Sequence, residues 1–239
     1  MKKLLLLGLF MPFLALCQKP TVVSYSRFFP KNDKVLEFEK ALKSHAAKFH
    51  TGDWKWRVYT IESGPDAGGY MVVEGPATWG QLDKRGNLGA DHMNDLYKNL
   101  LGLTTDKNSA GYLMFREELS SVQLTDYSDK IAISHVFPKP GKGPAIEETL
   151  KLLKKVWEAG NQNVAVYESS SSGPYQLSIV TSYKQGLKER DPDFRKPMKE
   201  RYEAIHGEGS FDKYLSSVSD NLEHQWSELL FLDADLSSK

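Results

Sequence analysis

The chain has 239 residues, with 31 basic and 31 acidic side chains, so its formal net charge is zero. No basic excess or stripe marks a nucleic-acid partner. Cys17 is the single cysteine, which excludes an intrachain disulfide, an iron–sulfur cluster and a cysteine zinc site.

Residues 1–17 read as a signal peptide. Lys2 and Lys3 form a basic start, and Leu4 to Leu16 is an apolar run of 13 residues. That is shorter than the roughly 20 residues needed to span a bilayer. Ala15 and Cys17 occupy the −3 and −1 positions of a cleavage site before Gln18. The implied destination is periplasmic or extracellular. In a rival reading Cys17 is a lipid anchor, but Leu16 is bulky where the lipoprotein peptidase takes a small residue. Cleavage leaves 29 basic against 31 acidic residues and no later run of transmembrane length.

The rest divides into two repeats, 18–124 and 125–239. The first opens with a strand, Val22 to Phe29, rich in β-branched and aromatic residues. After Pro30 comes a helix with Phe38, Ala41, Leu42, His45 and Phe49 on one face, capped by Asn32 or Asp33. Strands Trp54 to Ile61 and Tyr70 to Glu74 flank the turn Ser63-Gly64-Pro65-Asp66. A helical piece, Asp91 to Leu101, precedes a last strand near Tyr112 to Leu119. Beyond the polar linker Thr125 to Lys130, the pattern starts again with a strand at Ile131 to Phe137. Its helix places Ile146, Thr149, Leu150, Leu153 and Trp157 on one face. Strands Asn163 to Glu168 and Tyr175 to Tyr183 flank Ser172-Gly173-Pro174. A helix at Lys196 to His206 and a strand near Trp226 to Leu232 complete it.

The residues themselves recur. Ser26, Phe29, Pro30, Lys31, Lys34, Glu39, Leu42, Lys43, Val58 and Tyr59 reappear 108 positions later, from Ser134 to Tyr167. Tyr70, Leu82, Arg85, Met93, Tyr97 and Gly102 reappear 105 positions later, from Tyr175 to Gly207. Such a long period marks a duplicated domain, not a solenoid. The order β-α-β-β-α-β is the ferredoxin-like split βαβ. Its helices cover one sheet face, so the other needs a partner. A tandem copy supplies that partner, and the mature chain is expected to be a monomeric pseudo-dimer.

With this pattern, and with Lys139-Pro140-Gly141-Lys142 between strand and helix, the chain resembles the dimeric α+β barrel proteins. The neighbourhood is that of the antibiotic-biosynthesis-monooxygenase-like and NIPSNAP-like domains. The first repeat has Lys31-Asn32-Asp33-Lys34 at that place, which keeps the lysines and loses the Pro-Gly. The resemblance implies an α+β fold in which two ferredoxin-like repeats form an intramolecular barrel with a central cavity. It implies no single chemistry, because that superfamily includes cofactor-free monooxygenases, haem enzymes and proteins without known activity.

Comparing the repeats picks out candidate ligand-binding residues. His45 lies on an apolar helix face where the second repeat has Leu153. It is either a hydrogen-bonded core histidine, or an acid/base group or axial haem ligand facing the cavity. Arg27 and His135 occupy equivalent places on the first strands, among apolar neighbours. Arg57 shares a strand face with Tyr59 and stands where the second repeat has Ala165, while Tyr167 matches Tyr59. All six are expected to border one asymmetric cavity. No metal site is expected: His45 and His50 are five apart and do not share a helix face, and Asp91, His92 and Asp95 read as a solvated helix end. No phosphate loop or nucleophile elbow is present. Three functions stay open: non-catalytic binding of a small apolar or aromatic ligand, a monooxygenase-like or haem-associated enzyme, and an interaction protein with a filled barrel.

Overall fold

The computed structural model describes residues 19, 21–170 and 174–239. The expected signal peptide, Cys17, and Ser172 and Gly173 of the second turn lie outside the described residues. Eight strands form a closed barrel. They are β1 (Val22–Phe28), β2 (Trp56–Ser63), β3 (Tyr70–Ala77), β4 (Ser109–Phe115), β5 (Lys130–Pro138), β6 (Asn163–Ser169), β7 (Leu177–Ser182) and β8 (Leu222–Leu232). Their order round the barrel is β1-β3-β2-β8-β5-β7-β6-β4, returning to β1, and every neighbouring pair is antiparallel.

Within the first half the order is β4-β1-β3-β2, and within the second it is β8-β5-β7-β6. Two seams join the halves. One pairs β2 with β8 from Tyr59↔Leu232 to Ser63↔Leu229. The other pairs β4 with β6 over Leu113↔Ser169, Met114↔Glu168 and Phe115↔Tyr167. Sheet edges that would otherwise expose unpaired N–H and C=O groups are thereby consumed.

Helices α1 (Val35–Phe49) and α4 (Gly143–Ala159) pack outside the barrel. Phe38, Leu42 and Ala46 of α1 meet Phe28, Trp56, Val58, Tyr70 and Val72. Ile146, Leu150, Leu153, Val156 and Trp157 of α4 meet Val136, Val164, Val166 and Leu177. Strand alternation then sends the intervening residues inward: Tyr59, Met71, Ile131 and Ile133 form an interior cluster, as do Val23, Phe115, Ala165 and Tyr167. Leu42 is fully buried, and truncating such a residue to alanine costs about 2–5 kcal/mol.

Several repeated residues make the same contact in each half. Tyr70 Oη donates to Glu39 at 2.6 Å, and Tyr175 Oη donates to Glu147 at 2.7 Å. The Lys31 ammonium donates to the Gly102 carbonyl, and that of Lys139 to the Ser219 and Asp220 carbonyls. Recurrence at these positions therefore reflects packing between strand, helix and connection.

The halves differ elsewhere. The first carries α2 (Trp79–Arg85), which starts with a capping box between Thr78 and Gln81. The helical piece expected at 91–101 is split into α3 (Ala90–Asn94) and a wider π-helical turn, Asp95–Leu100. In the second half α5 (Met198–His206) is followed by α6 (Ser210–Asn221). The sequence pattern places no element between the helix at Lys196 to His206 and the last strand. Phe211 and Tyr214 of α6 pack against the α4 cluster. Among the described residues, no helix is long and apolar enough to cross a membrane.

Candidate functional site

The barrel interior holds a cavity of about 240 Å³. Val23, Val73, Leu113, Ile131, Ile133 and Val180 form apolar parts of its wall. Five of the six candidate residues, Arg27, Arg57, Tyr59, His135 and Tyr167, line it as well. Each sits on an inward register of β1, β2, β5 or β6, which is why the alternating pattern could find them.

Two polar clusters interrupt the apolar wall. In the first, Arg27 is buried and forms a two-pronged ion pair with Glu228 of β8. Its Nη1 also donates to Asp66 at 3.0 Å. His135 Nε2 donates to Glu228 Oε1 at 2.8 Å, and its Nδ1 accepts from the Gln176 amide at 2.6 Å. The His135 ring stacks on Trp226 at 3.9 Å between centroids. Burial by itself would lower the Arg27 pKa and raise that of Glu228. Their mutual hydrogen bonds outweigh it, so Arg27 is held above and Glu228 below its ordinary value. With both ring nitrogens engaged, His135 has no free lone pair for a ligand.

In the second cluster Arg57 Nη1 donates to the Gly75 carbonyl at 3.0 Å, and its guanidinium lies 3.7 Å from the centre of the Tyr127 ring. Among the described residues Arg57 forms no ion pair, in contrast to Arg27. The Tyr127 hydroxyl is buried without a hydrogen-bond partner, and that of Tyr59 reaches the Ser128 carbonyl at 3.3 Å. Burial pushes Tyr59 up to about 12 and also raises Tyr127 and Tyr167. These three phenols therefore stay protonated; Tyr59 donates its hydrogen to the Ser128 carbonyl, which leaves Tyr127 and Tyr167 to donate to an acceptor in the cavity.

His45 is placed differently from the expectation. The apolar face of α1 packs on the outside of the barrel, so His45 lies behind the wall and does not border the central cavity. Its ring is fully buried next to His50 and His92, at centroid distances of 5.2 and 4.9 Å. His45 Nδ1 donates to Asp95 at 2.7 Å, and His50 Nδ1 donates to Glu74 at 2.8 Å. Burial depresses the pKa of His45, and takes His50 down to about 4, despite those carboxylates. Glu74 also accepts from Trp56 Nε1 and pairs with Arg85.

The argument that a spacing of five keeps His45 and His50 apart needs correction on geometry. Although five residues apart, His45 and His50 converge because His50 lies one residue beyond the end of α1. The tight turn in front of β2 swings it back, leaving the two Nε2 atoms 3.3 Å apart. One nitrogen from each of His45, His50 and His92 falls within 4.8 Å of the others. A cleft of about 800 Å³ outside the barrel is lined by His50, His92, Trp56, Met93 and Tyr112, among others.

Haem fits neither place. The barrel cavity is smaller than the 300–1,000 Å³ usual for a drug-sized ligand, and His135, the one histidine in its wall, has no free nitrogen. The outer histidines turn their nitrogens toward one another, with two Nε2 atoms 3.3 Å apart, where haem takes a single axial imidazole from one face.

No protein-family model matches the sequence, and no curated protein matches it. Solved structures match over nearly the whole chain. A candidate monooxygenase from Lactobacillus acidophilus NCFM aligns with TM-score 0.55 and 11% identity, covering 92% of this chain and 97% of that one. An anthrone oxidase-like protein gives 0.54 and 13%, covering 90% and 92%. A mutant chlorite dismutase from Candidatus Nitrospira defluvii gives 0.53 and 8%, covering 92% and 94%. The chain has the dimeric α+β barrel fold. Identities this low carry the fold and nothing of the chemistry. Within that fold the Arg27–Glu228–His135 cluster, the Arg57–tyrosine cluster and the outer histidine triangle are features of this chain's own side chains.

Proposed function

We propose that the barrel interior binds a small, flat, mostly apolar molecule carrying one acidic oxygen, such as a phenol. The observation that carries this reading is Arg57, a cation in the cavity wall without a carboxylate partner, beside the orphaned hydroxyl of Tyr127. An anionic oxygen there would gain the guanidinium and one or more phenolic donors, while the ring lies against valine, leucine and isoleucine. A volume of about 240 Å³ suits one or two rings. The Arg27–Glu228–His135 cluster is already satisfied, so it shapes and stiffens the wall without offering a free base.

The test uses para-nitrophenol, whose phenolate absorbs visible light. Saturable binding with growth of the phenolate band is expected. Arg57→Met should weaken it at least tenfold, a loss of about 1.4 kcal/mol. Val180→Trp should block it by filling the cavity. No saturable binding, or binding that ignores both substitutions, would overturn the reading.

A second reading is oxygenation of such a molecule in the same cavity. It draws on the likeness of fold to the candidate monooxygenase and the anthrone oxidase-like protein. Oxygen uptake with hydroquinone, abolished by Val180→Trp, would favour it over binding alone.

The same proposal includes the chain's origin and state. The common strand order and the twin Tyr–Glu and lysine–carbonyl contacts support two tandem ferredoxin-like copies. Seams within one chain support a monomer, which light scattering tests. The basic start and apolar run before Gln18 support export, which the N-terminal sequence of the mature protein tests.

A further inference from the structure

We propose that His45, His50 and His92 form a site for one divalent transition cation of the zinc class, with its fourth position open to the cleft outside the barrel. The argument begins with protons. Asp95 and Glu74 are carboxylates and can only accept, so they place the hydrogens on the Nδ1 atoms of His45 and His50. Arg85, which can only donate, also lies 3.2 Å from His50 Nδ1, but the Glu74 oxygen at 2.8 Å is the closer partner and decides the tautomer. Each Nε2 then presents a lone pair, and the two lone pairs face each other at 3.3 Å in a buried setting. Neutral imidazoles repel in that arrangement unless something positive lies between them.

His92 supplies an independent observation. It is 9% exposed, and neither of its ring nitrogens has a hydrogen-bond partner. Leaving a buried polar group unpaired costs about 1–3 kcal/mol. Here the orphaned ring stands at the third corner of the triangle formed with His45 and His50.

The His45–His50 edge has the length that tetrahedral coordination requires, and His92 lies within 4.8 Å of both. Zinc–imidazole bonds of about 2.0–2.1 Å imply about 3.3–3.4 Å between adjacent nitrogens of a tetrahedron. The His45–His50 separation is 3.3 Å. An octahedral site with the same bonds would bring adjacent nitrogens to about 2.9 Å. Three neutral imidazoles suit zinc and its neighbours over magnesium or calcium, which prefer oxygen. The carboxylates on the far nitrogens of His45 and His50 are the outer partners that fix tautomer and ring direction in histidine metal sites.

The surrounding charge permits a cation. Arg85 and Lys48 are the opposing charges, and a guanidinium nitrogen of Arg85 lies 3.2 Å from His50 Nδ1. Arg85 is paired with Glu74, and Asp95 remains to offset the ion. His50 and His92 face the cleft and His45 stands behind them, so the fourth position opens outward. Water or a small donor ligand would take it, as in three-histidine zinc sites that retain an exchangeable water.

The experiment uses untagged, chelator-treated protein titrated with Co2+, then with Zn2+. One Co2+ per chain is expected, with the intense visible absorption of tetrahedral cobalt, displaced by Zn2+. His92→Leu should abolish binding yet keep or raise the Tm, because it removes an unpaired polar ring from a buried place. Asp95→Asn leaves all three ligands in place and should weaken binding by roughly 10- to 100-fold. Failure to take up Co2+, or uptake unchanged in His92→Leu, would overturn the site. A Co2+ affinity indifferent to Asp95→Asn would overturn the assigned tautomer and with it the facing lone pairs.

Discussion

The ion pair between Arg27 and Glu228 gives the most quantitative test of how the barrel is held. Both side chains are almost entirely enclosed, at 8% and 0% exposure. Such a pair recovers its desolvation penalty only while both members are present. Removing one partner typically costs about 3–5 kcal/mol, whereas replacing both by well-fitting neutral groups is often nearly neutral. Glu228→Gln would leave a guanidinium that cannot lose its proton, with Asp66 at 3.0 Å as its one remaining carboxylate among the described residues. That remaining carboxylate puts the expected loss near about 3 kcal/mol, and Glu228→Gln with Asp66→Asn nearer 5. For a chain of this size 1 kcal/mol moves the Tm by roughly 2–4 °C, so the two variants should melt about 6–20 °C low. Arg27→Met with Glu228→Gln should recover to within about 1 kcal/mol of the parent. Urea unfolding of the four proteins gives the comparison directly. If Glu228→Gln loses less than about 1 kcal/mol, the pair is not desolvated as described and the reasoning fails.

Other expectations follow from the same contacts. Glu228 is held below its ordinary value of 4.5 because Arg27 and His135 outweigh its burial. Its contribution is therefore present above that value and lost as pH falls through the lower folded one, and Glu228→Gln should flatten the acid limb of a stability–pH curve. Tyr70→Phe and Tyr175→Phe should each cost about 0.5–1.5 kcal/mol and add nearly completely, because the two hydrogen bonds lie in different halves. Thr78→Ala should cost about 1 kcal/mol by removing the capping box of α2, read by chemical denaturation.

The five cavity residues on strands were legible because a strand alternates strictly. Once Val58 and Val72 face a helix, Tyr59 and Arg57 must face inward. Glu228, Gln176, Trp226 and Tyr127 were missed. Glu228 pairs with Ile133, while Tyr25, which corresponds to Ile133, pairs with Gly111. A glutamate where the other half has glycine is an asymmetry that the comparison of repeats could have found, had the last strands been aligned. Nothing local to the histidines foretells their triangle. It needs His50 turned back after α1 and His92 brought over by α3, a helix of five residues. His45 was misplaced because an apolar helix face says that it packs on a sheet, not which side of that sheet becomes the cavity.

The Arg27–Glu228 contact crosses from the first half of the chain to the second, and under the tandem duplication proposed above it bears on what a linked pair can evolve. In a two-fold homodimer each wall residue appears twice, so an arginine introduced into the shared interior brings its own image, and any remedy is duplicated with it. Placing both units on one polypeptide breaks this obligation. One unit can contribute the cation and the other the carboxylate, with no need to discriminate against self-pairing. The interior becomes in effect that of an obligate heterodimer whose stoichiometry cannot be wrong. Arg57 opposite an alanine position, and three histidines confined to a single outer face, are changes that such freedom permits.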